Sequence, residues 1–164
     1  MEIILIAHNI RSAHNVGSIL RSADGFGAAK VYFTGYTPYP AQEHDTRLPH
    51  ERDKLTRQIH KTALGAENTV PHEHAPDVMA LLHSLKAQRY TIAALEQHER
   101  SVPLPGFTPT HSVALLLGEE VNGITPELLE LCDTILEIPM RGQKESFNVS
   151  VATGIALYEL SKNL

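Results

Sequence analysis

Three polar constellations in this chain have the residue types and spacing to do chemistry. Asn15 and Arg21 stand six apart, with Arg11 and His14 just ahead of them. Arginines gathered at a helix N-terminus make a natural anion site. Gly118-x-Glu120-x-x-Gly123 is a polar turn directly after an apolar run, and Ser146-Phe147-Asn148 opens the last apolar segment. Each also has a plain structural reading. Asn15 can cap a helix, Arg21 can form a surface ion pair, and the acids of the glycine turn can be solvated. Ser146 and Asn148 are favoured N-caps.

Other chemistries find less support. The dinucleotide fingerprint G-x-G-x-x-G is absent after the first strand, and the phosphate loop G-x-x-x-x-G-K-[ST] is absent altogether, which argues against an NAD enzyme or an NTPase of standard type. The ten histidines include His72-Glu-His74, with His44, His50 and His60 upstream. No H-E-x-x-H or cysteine cluster accompanies them, so no metal is expected. The single cysteine, Cys132, excludes an internal disulfide and reads as a small buried side chain in a helical pattern.

The elements that must position the candidates follow from periodicity. Continuous apolar runs predict buried strands at Glu2–Ala7 and Ser112–Leu117, with further strands at Lys30–Thr34, Thr69–Val70, Tyr90–Leu95 and Thr134–Ile138. Helical spacing predicts Asn15–Phe26, a short helix near Lys54–Ala63, Pro76–Gln88, a helix opening at Thr125-Pro126-Glu127, and Asn148–Lys162. Residues 35–62, with Pro38, Pro40 and Pro49, read as a long exposed loop leading into that short helix. The alternation predicts an α/β fold with a mostly parallel sheet and helices on both faces. Ligands in such sheets bind beyond the carboxyl ends of the strands, where loops His8–Asn15, Gly118–Gly123 and Ile138–Phe147 lie. Gly154 inside the final helix costs about 0.5–1 kcal/mol relative to alanine. It hints at close packing by another backbone, such as that of a second subunit.

At 164 residues, 42% hydrophobic and 20% charged, the chain suits a single domain with a real core. No apolar run approaches the ~20 residues that span a bilayer, and the start is too short and acidic for a signal peptide. The expected location is the cytoplasm. Net charge is −5, but residues 1–61 hold eight Lys/Arg against six Asp/Glu, and residues 62–164 hold six against thirteen. An anionic partner would approach the first part.

Taken together, the three constellations resemble the motifs of the SpoU (TrmH-like) family of RNA 2′-O-ribose methyltransferases, in the SPOUT superfamily. Asn15-x-Gly17-x-x-x-Arg21-Ser-Ala matches the first motif, and Leu117-Gly-Glu-Glu120-x-x-Gly123-Ile the second. Ile138-Pro-Met140 with Ser146-Phe-Asn148-Val-Ser-Val-Ala matches the third. The order and spacing of all three make the resemblance specific over nearly the whole chain.

The resemblance implies a C-terminal trefoil knot through Ile138–Asn148, S-adenosylmethionine as methyl donor, and a homodimer packed through the knot region. It implies that Leu117, Gly118, Ile138, Met140 and Phe147 hold the cofactor. Phe147 stands where family members usually have leucine. It further implies that Arg21 serves the ribose 2′-hydroxyl, with Asn15, Glu120, Ser146 and Asn148 positioning it and the substrate. The substrate would be tRNA or ribosomal RNA. A chain that starts directly at the first strand reads as one domain over 1–164, without the N-terminal RNA-binding extension of many relatives. Arg11, Arg47, Arg52, Lys54, Arg57 and Lys61 are then the candidates for RNA phosphate contacts. Two other readings stay open: a non-catalytic RNA-binding or assembly module on the same scaffold, and a knotted methyltransferase that modifies a base.

Overall fold

The computed structural model describes residues 1–162. Strand β1 (Ile3–His8) is buried along its whole length and sits near the middle of the sheet. Its side chains alternate between two cores. Ile3, Leu5 and Ala7 enter one, and Ile4 and Ile6 enter the other. A strand buried on both faces has no polar positions to spare, which is why it reads as one apolar run.

The seven strands are β1, β2 (Lys30–Thr34), β3 (His72–His74), β4 (Thr91–Leu95), β5 (Val102–Pro103), β6 (Val113–Leu117) and β7 (Thr134–Glu137). They lie in the order β3-β2-β1-β6-β4-β7-β5, and every pairing is parallel. The α/β expectation therefore holds. Helices α1 (Ala13–Gly25), α2 (Pro49–Ala63), α3 (Ala66–Thr69) and α6 (Val149–Ser161) cover one face. Helices α4 (Val78–Ala87) and α5 (Pro126–Glu130) cover the other.

Four elements differ from the sequence expectation. Val102–Pro103, which is not among the expected strands, adds the short edge strand β5 beside β7. Thr69–Val70 is not a strand: Thr69 closes α3, and the edge strand follows at His72–His74. Helix α2 starts at Pro49, because a proline at the first helical position needs no N–H partner. Helix α1 starts at Ala13, capped by the Ser12 hydroxyl, which accepts the Asn15 N–H at 3.3 Å. Asn15 is thus inside the first turn, and its side chain is released from capping.

Helices α1 and α2 cross very closely. A Cβ on Gly17 would lie 2.1 Å from Thr62 Oγ1 and 2.3 Å from the Ile59 carbonyl oxygen, so only glycine fits. Gly154 has no such neighbour within the chain, the nearest atom to its notional Cβ being Ser22 Oγ at 3.6 Å. Among the described residues, no helix is long and apolar enough to cross a membrane.

Candidate active site

The carboxyl ends of β4, β6 and β7 open into a cleft walled by Leu95, Leu117, Leu136, Ile138, Phe147 and Ala152, with Glu96, Glu119, Glu120 and Ser146 at its polar parts. Its back wall depends on close packing. A Cβ on Gly118 would come within 2.5 Å of Ile124 Cγ1 and 2.7 Å of the Gly123 carbonyl carbon, so the turn folds down onto the strand end only because residue 118 is glycine.

Glu120 ties this cleft to α1. Its Oε1 accepts from Asn15 Nδ2 at 3.0 Å and from the Ser12 N–H at 3.3 Å, and its Oε2 accepts from the Arg11 N–H at 3.0 Å. The anion site expected at the start of α1 is therefore filled by the chain's own carboxylate, where the helix dipole favours it. Burial raises the Glu120 pKa, but the Arg11, Asn15 and Ser12 hydrogen bonds outweigh that and leave it below the ordinary value.

Asn15 carries the network onward. Its Oδ1 accepts from Asn148 Nδ2 at 3.2 Å. Asn148 Oδ1 in turn accepts from the Ser150 N–H at 2.9 Å and the Ser150 hydroxyl at 2.6 Å, so Asn148 is both the N-cap of α6 and the bridge to α1. The alternative of a plain cap is half right: the oxygen caps, and the amide nitrogen is left to donate.

The remaining expected site residues fall into three groups. Leu117, Gly118, Ile138, Phe147 and Ser146 line the cleft, while Met140, the other expected cofactor contact, is not among its lining residues. Arg21 is exposed on α1 and makes no hydrogen bond or ion pair with the described residues. At about 100° per residue its six-residue offset turns it roughly 120° away from Asn15 around the helix, so the two do not share a face.

The basic candidates also separate. Arg47 is committed to its own loop: it pairs with Asp45 at 2.5 Å, donates to the Tyr39 and Pro40 carbonyls at 2.8 and 3.1 Å, and lies 3.6 Å over the Tyr39 ring. That guanidinium pins residues 39–47 and leaves little to offer a phosphate. Arg52 pairs with Asp53 at 2.9 Å, and Arg11 pairs with Glu119. Lys54, Arg57 and Lys61 are exposed along α2.

Glu96 is a cleft residue that sequence reasoning missed. It follows β4, accepts the Ile124 N–H at 3.0 Å and the Gln97 N–H at 2.9 Å, and faces the cleft. The carboxyl-end rule applied to β4 as well as to β1, β6 and β7 would have found it. No group of three or more His, Cys, Asp or Glu among the described residues is arranged to hold a metal ion. The Cys132 thiol is pushed up to about 11, mainly by burial, with the Asp133 charge adding to it. It is therefore a poor nucleophile.

A fully parallel α/β sheet, with a cleft assembled at the strand ends from distant segments beside the C-terminal helix, defines an α/β protein whose concave site lies where ligands enter such sheets. The chain belongs to the SpoU rRNA Methylase family, whose sequence model matches residues 2–158. It is 29% identical over 161 residues to the tRNA (guanosine(18)-2′-O)-methyltransferase of Aquifex aeolicus, covering 98% of this chain and 69% of the relative. It is 32% identical over 158 residues to the 23S rRNA (guanosine-2′-O-)-methyltransferase RlmB of Nitrosomonas europaea, covering 96% of this chain and 55% of the relative. The chain thus spans little more than half of the latter's length. Among solved structures, the A. aeolicus TrmH/SpoU tRNA modifying enzyme superposes with a TM-score of 0.81 at 28% identity, over 99% of this chain and 75% of that one. The SpoU methyltransferase AviRb from Streptomyces viridochromogenes, in complex with the cofactor AdoMet, gives 0.78 at 25% identity, over 98% and 60%.

Proposed function

We propose that this chain is an RNA 2′-O-ribose methyltransferase that uses S-adenosylmethionine and acts on tRNA or ribosomal RNA. The observation that carries the reading is the Glu120–Asn15–Asn148 hydrogen-bonded chain, which joins all three motifs at the cleft. The relatives' names, tRNA and 23S rRNA 2′-O-methyltransferases, point the same way.

The cleft suits the cofactor chemically. Its aliphatic and aromatic walls match an adenine ring, and its carboxylates match hydroxyls and a cationic centre. When bound, the cofactor supplies a methyl group on a sulfonium, open to attack by a hydroxyl. The chain's own residues must hold the ribose hydroxyl in line with that methyl and stabilise the negative charge that grows on its oxygen. An arginine stays protonated, so Arg21 acts by holding the adjoining phosphate and opposing the developing alkoxide, and the hydroxyl proton leaves to water. Glu120 holds Asn15, Asn15 holds Asn148, and Ser146 lines the cleft beside them. Glu120, Asn15 and Asn148 are thus held by hydrogen bonds before substrate arrives.

Two structural expectations belong to the same proposal. The first is threading of residues 138–148 through the chain. It is supported by the short path from β7, near one edge of the sheet, back to α6 packed on α1. The second is a homodimer across α6. Val151, Ile155 and Tyr158 form an apolar stripe at helical spacing, 50%, 36% and 56% exposed, and a second copy lying on it would bring its own Arg21 toward this cleft. Ile155→Asp should then convert a dimer into a monomer in sedimentation and abolish transfer. A wild-type monomer with full activity would remove the dimer from the reading.

The decisive assay is transfer of labelled methyl from S-adenosylmethionine to unmodified tRNA or ribosomal RNA. Arg21→Ala should lower kcat by roughly 10²–10³-fold with little change in stability. Absence of transfer to either RNA by the wild-type protein would refute the proposal.

A further inference from the structure

A second recess lies beside the cleft, at the carboxyl ends of β1 and β2. It is walled by Arg11, Tyr36, Tyr39, Leu55 and Gln58. Arg11 joins the two places: its backbone N–H binds Glu120, its guanidinium pairs with Glu119, and both glutamates line the cleft.

The two tyrosines of the recess are in opposite situations. Tyr39 is covered on both faces. The His74 ring stacks on it at 4.3 Å with a 9° interplanar angle, and the Arg47 guanidinium lies 3.6 Å from its centroid. Tyr36 is 54% exposed, and its ring has no aromatic or cationic stacking partner among the described residues. Its backbone, however, is held firmly. The Tyr36 N–H donates to Asn9 Oδ1 at 3.1 Å. The next residue, Thr37, is buried: its hydroxyl donates to the Ala7 carbonyl at 2.8 Å and accepts the Ile10 N–H at 3.0 Å. Its N–H closes the turn onto the Thr34 carbonyl at 3.3 Å. A large aromatic ring is thus held out to solvent on an anchored turn, where a mobile loop would have let it collapse onto the protein.

The charge around it is suited to an anion. The Arg11 guanidinium, its side chain 60% exposed beside Glu119, lies at the recess edge and carries the permanent charge of an arginine. Lys54, Arg57 and Lys61 recur at i, i+3 and i+7 on the exposed side of α2, next to the helix face that gives Leu55 and Gln58 to the recess.

We propose that Tyr36 is a stacking platform for an unstacked base of the RNA next to the nucleotide in the cleft, with Arg11 and the Lys54–Arg57–Lys61 stripe on the flanking phosphates. The proposal rests on the RNA reading above. Stacking on an aromatic ring tolerates any base and is the usual way proteins grip splayed single-stranded RNA. Tyr36 fixes where the strand lies, and base identity is left to other contacts.

The test is equilibrium binding of a fluorescein-labelled, mixed-sequence single-stranded oligoribonucleotide to the full chain across a salt series. Calorimetric uptake of S-adenosylmethionine serves as a check on folding. Tyr36→Ala and Tyr36→Leu should each weaken binding roughly tenfold with the salt slope unchanged. Tyr36→Phe should stay within about twofold of wild type, because the ring remains. Arg11→Ala should instead lower the salt slope by about 1. Tyr36→Ala binding as well as wild type overturns the proposal, and so does Tyr36→Phe binding as weakly as Tyr36→Ala. If the wild type binds RNA but takes up no cofactor, the methyltransferase reading falls while the Tyr36 comparison still decides this one. If the wild type binds no RNA, this proposal falls, and the methyl-transfer assay still decides the methyltransferase reading.

Discussion

Asn15 and Asn148, 133 positions apart in the chain, are joined side chain to side chain at 3.2 Å, and the same Asn15 amide donates to Glu120 at 3.0 Å. One residue in the first turn of α1 thereby fixes both the start of α6 and the turn after β6. The fold's most distant segments meet at the place where the chemistry is proposed.

Asn148→Ala removes two functions at once, the cap on Ser150 and the bridge to Asn15. Loss of the cap should cost about 1 kcal/mol, read as a lower urea midpoint. Asn148→Asp keeps the capping oxygens but cannot donate to Asn15. It should recover most of that stability while methyl transfer stays depressed. Equal recovery of stability and transfer would show that the bridge is dispensable.

Glu120 contributes to stability in a pH-dependent way. Its folded pKa lies below the ordinary 4.5. Such a carboxylate contributes fully above the unfolded value and loses its contribution as pH falls through the folded one. Glu120→Gln should therefore be less stable than wild type by about 1 kcal/mol at neutral pH, since an amide NH2 would face a backbone N–H. The gap should close below pH 4.5. Thermal melts of both proteins over an acid series check this, and a gap that is constant down to strong acid would contradict it.

Arg47 and Lys54 were equivalent candidates by residue type, and they should behave differently. Arg47 is 16% exposed and its partner Asp45 3%. Arg47→Ala strands that carboxylate and should cost about 3 kcal/mol in urea unfolding. Arg47→Lys should recover only part of it, because an ammonium cannot reproduce the forked contacts. Lys54→Ala should change stability by less than about 0.5 kcal/mol and weaken RNA binding by lowering its salt dependence.

Gly17→Ala is expected to destabilise severely even though alanine favours helices. The new methyl would meet backbone, the Ile59 carbonyl at 2.3 Å and Ala63 N at 2.8 Å, as well as Thr62 Oγ1. Separating α1 from α2 should cost about 1–3 kcal/mol, measured by chemical denaturation. A neutral or stabilising result would show that the two helices have room to part.

The amino-acid sequence by itself determined the layered fold. Runs such as Ile3–Ala7 and Val113–Leu117, too short for core helices, read as strands covered on both sides, and helical spacing marked the elements that cover them. The order of three short motifs also identified the family. Local pattern could not tell that Ser12 rather than Asn15 caps α1, that Glu120 fills the helix N-terminus, or that Arg47 is bound into its own loop. It also could not tell a covered tyrosine, Tyr39, from an open one, Tyr36. The reason is physical. Periodicity reports which face of an element is apolar, whereas hydrogen bonds and ion pairs are short and directional. Whether a polar side chain is spent or free depends on groups that only the folded chain brings within about 3 Å of it.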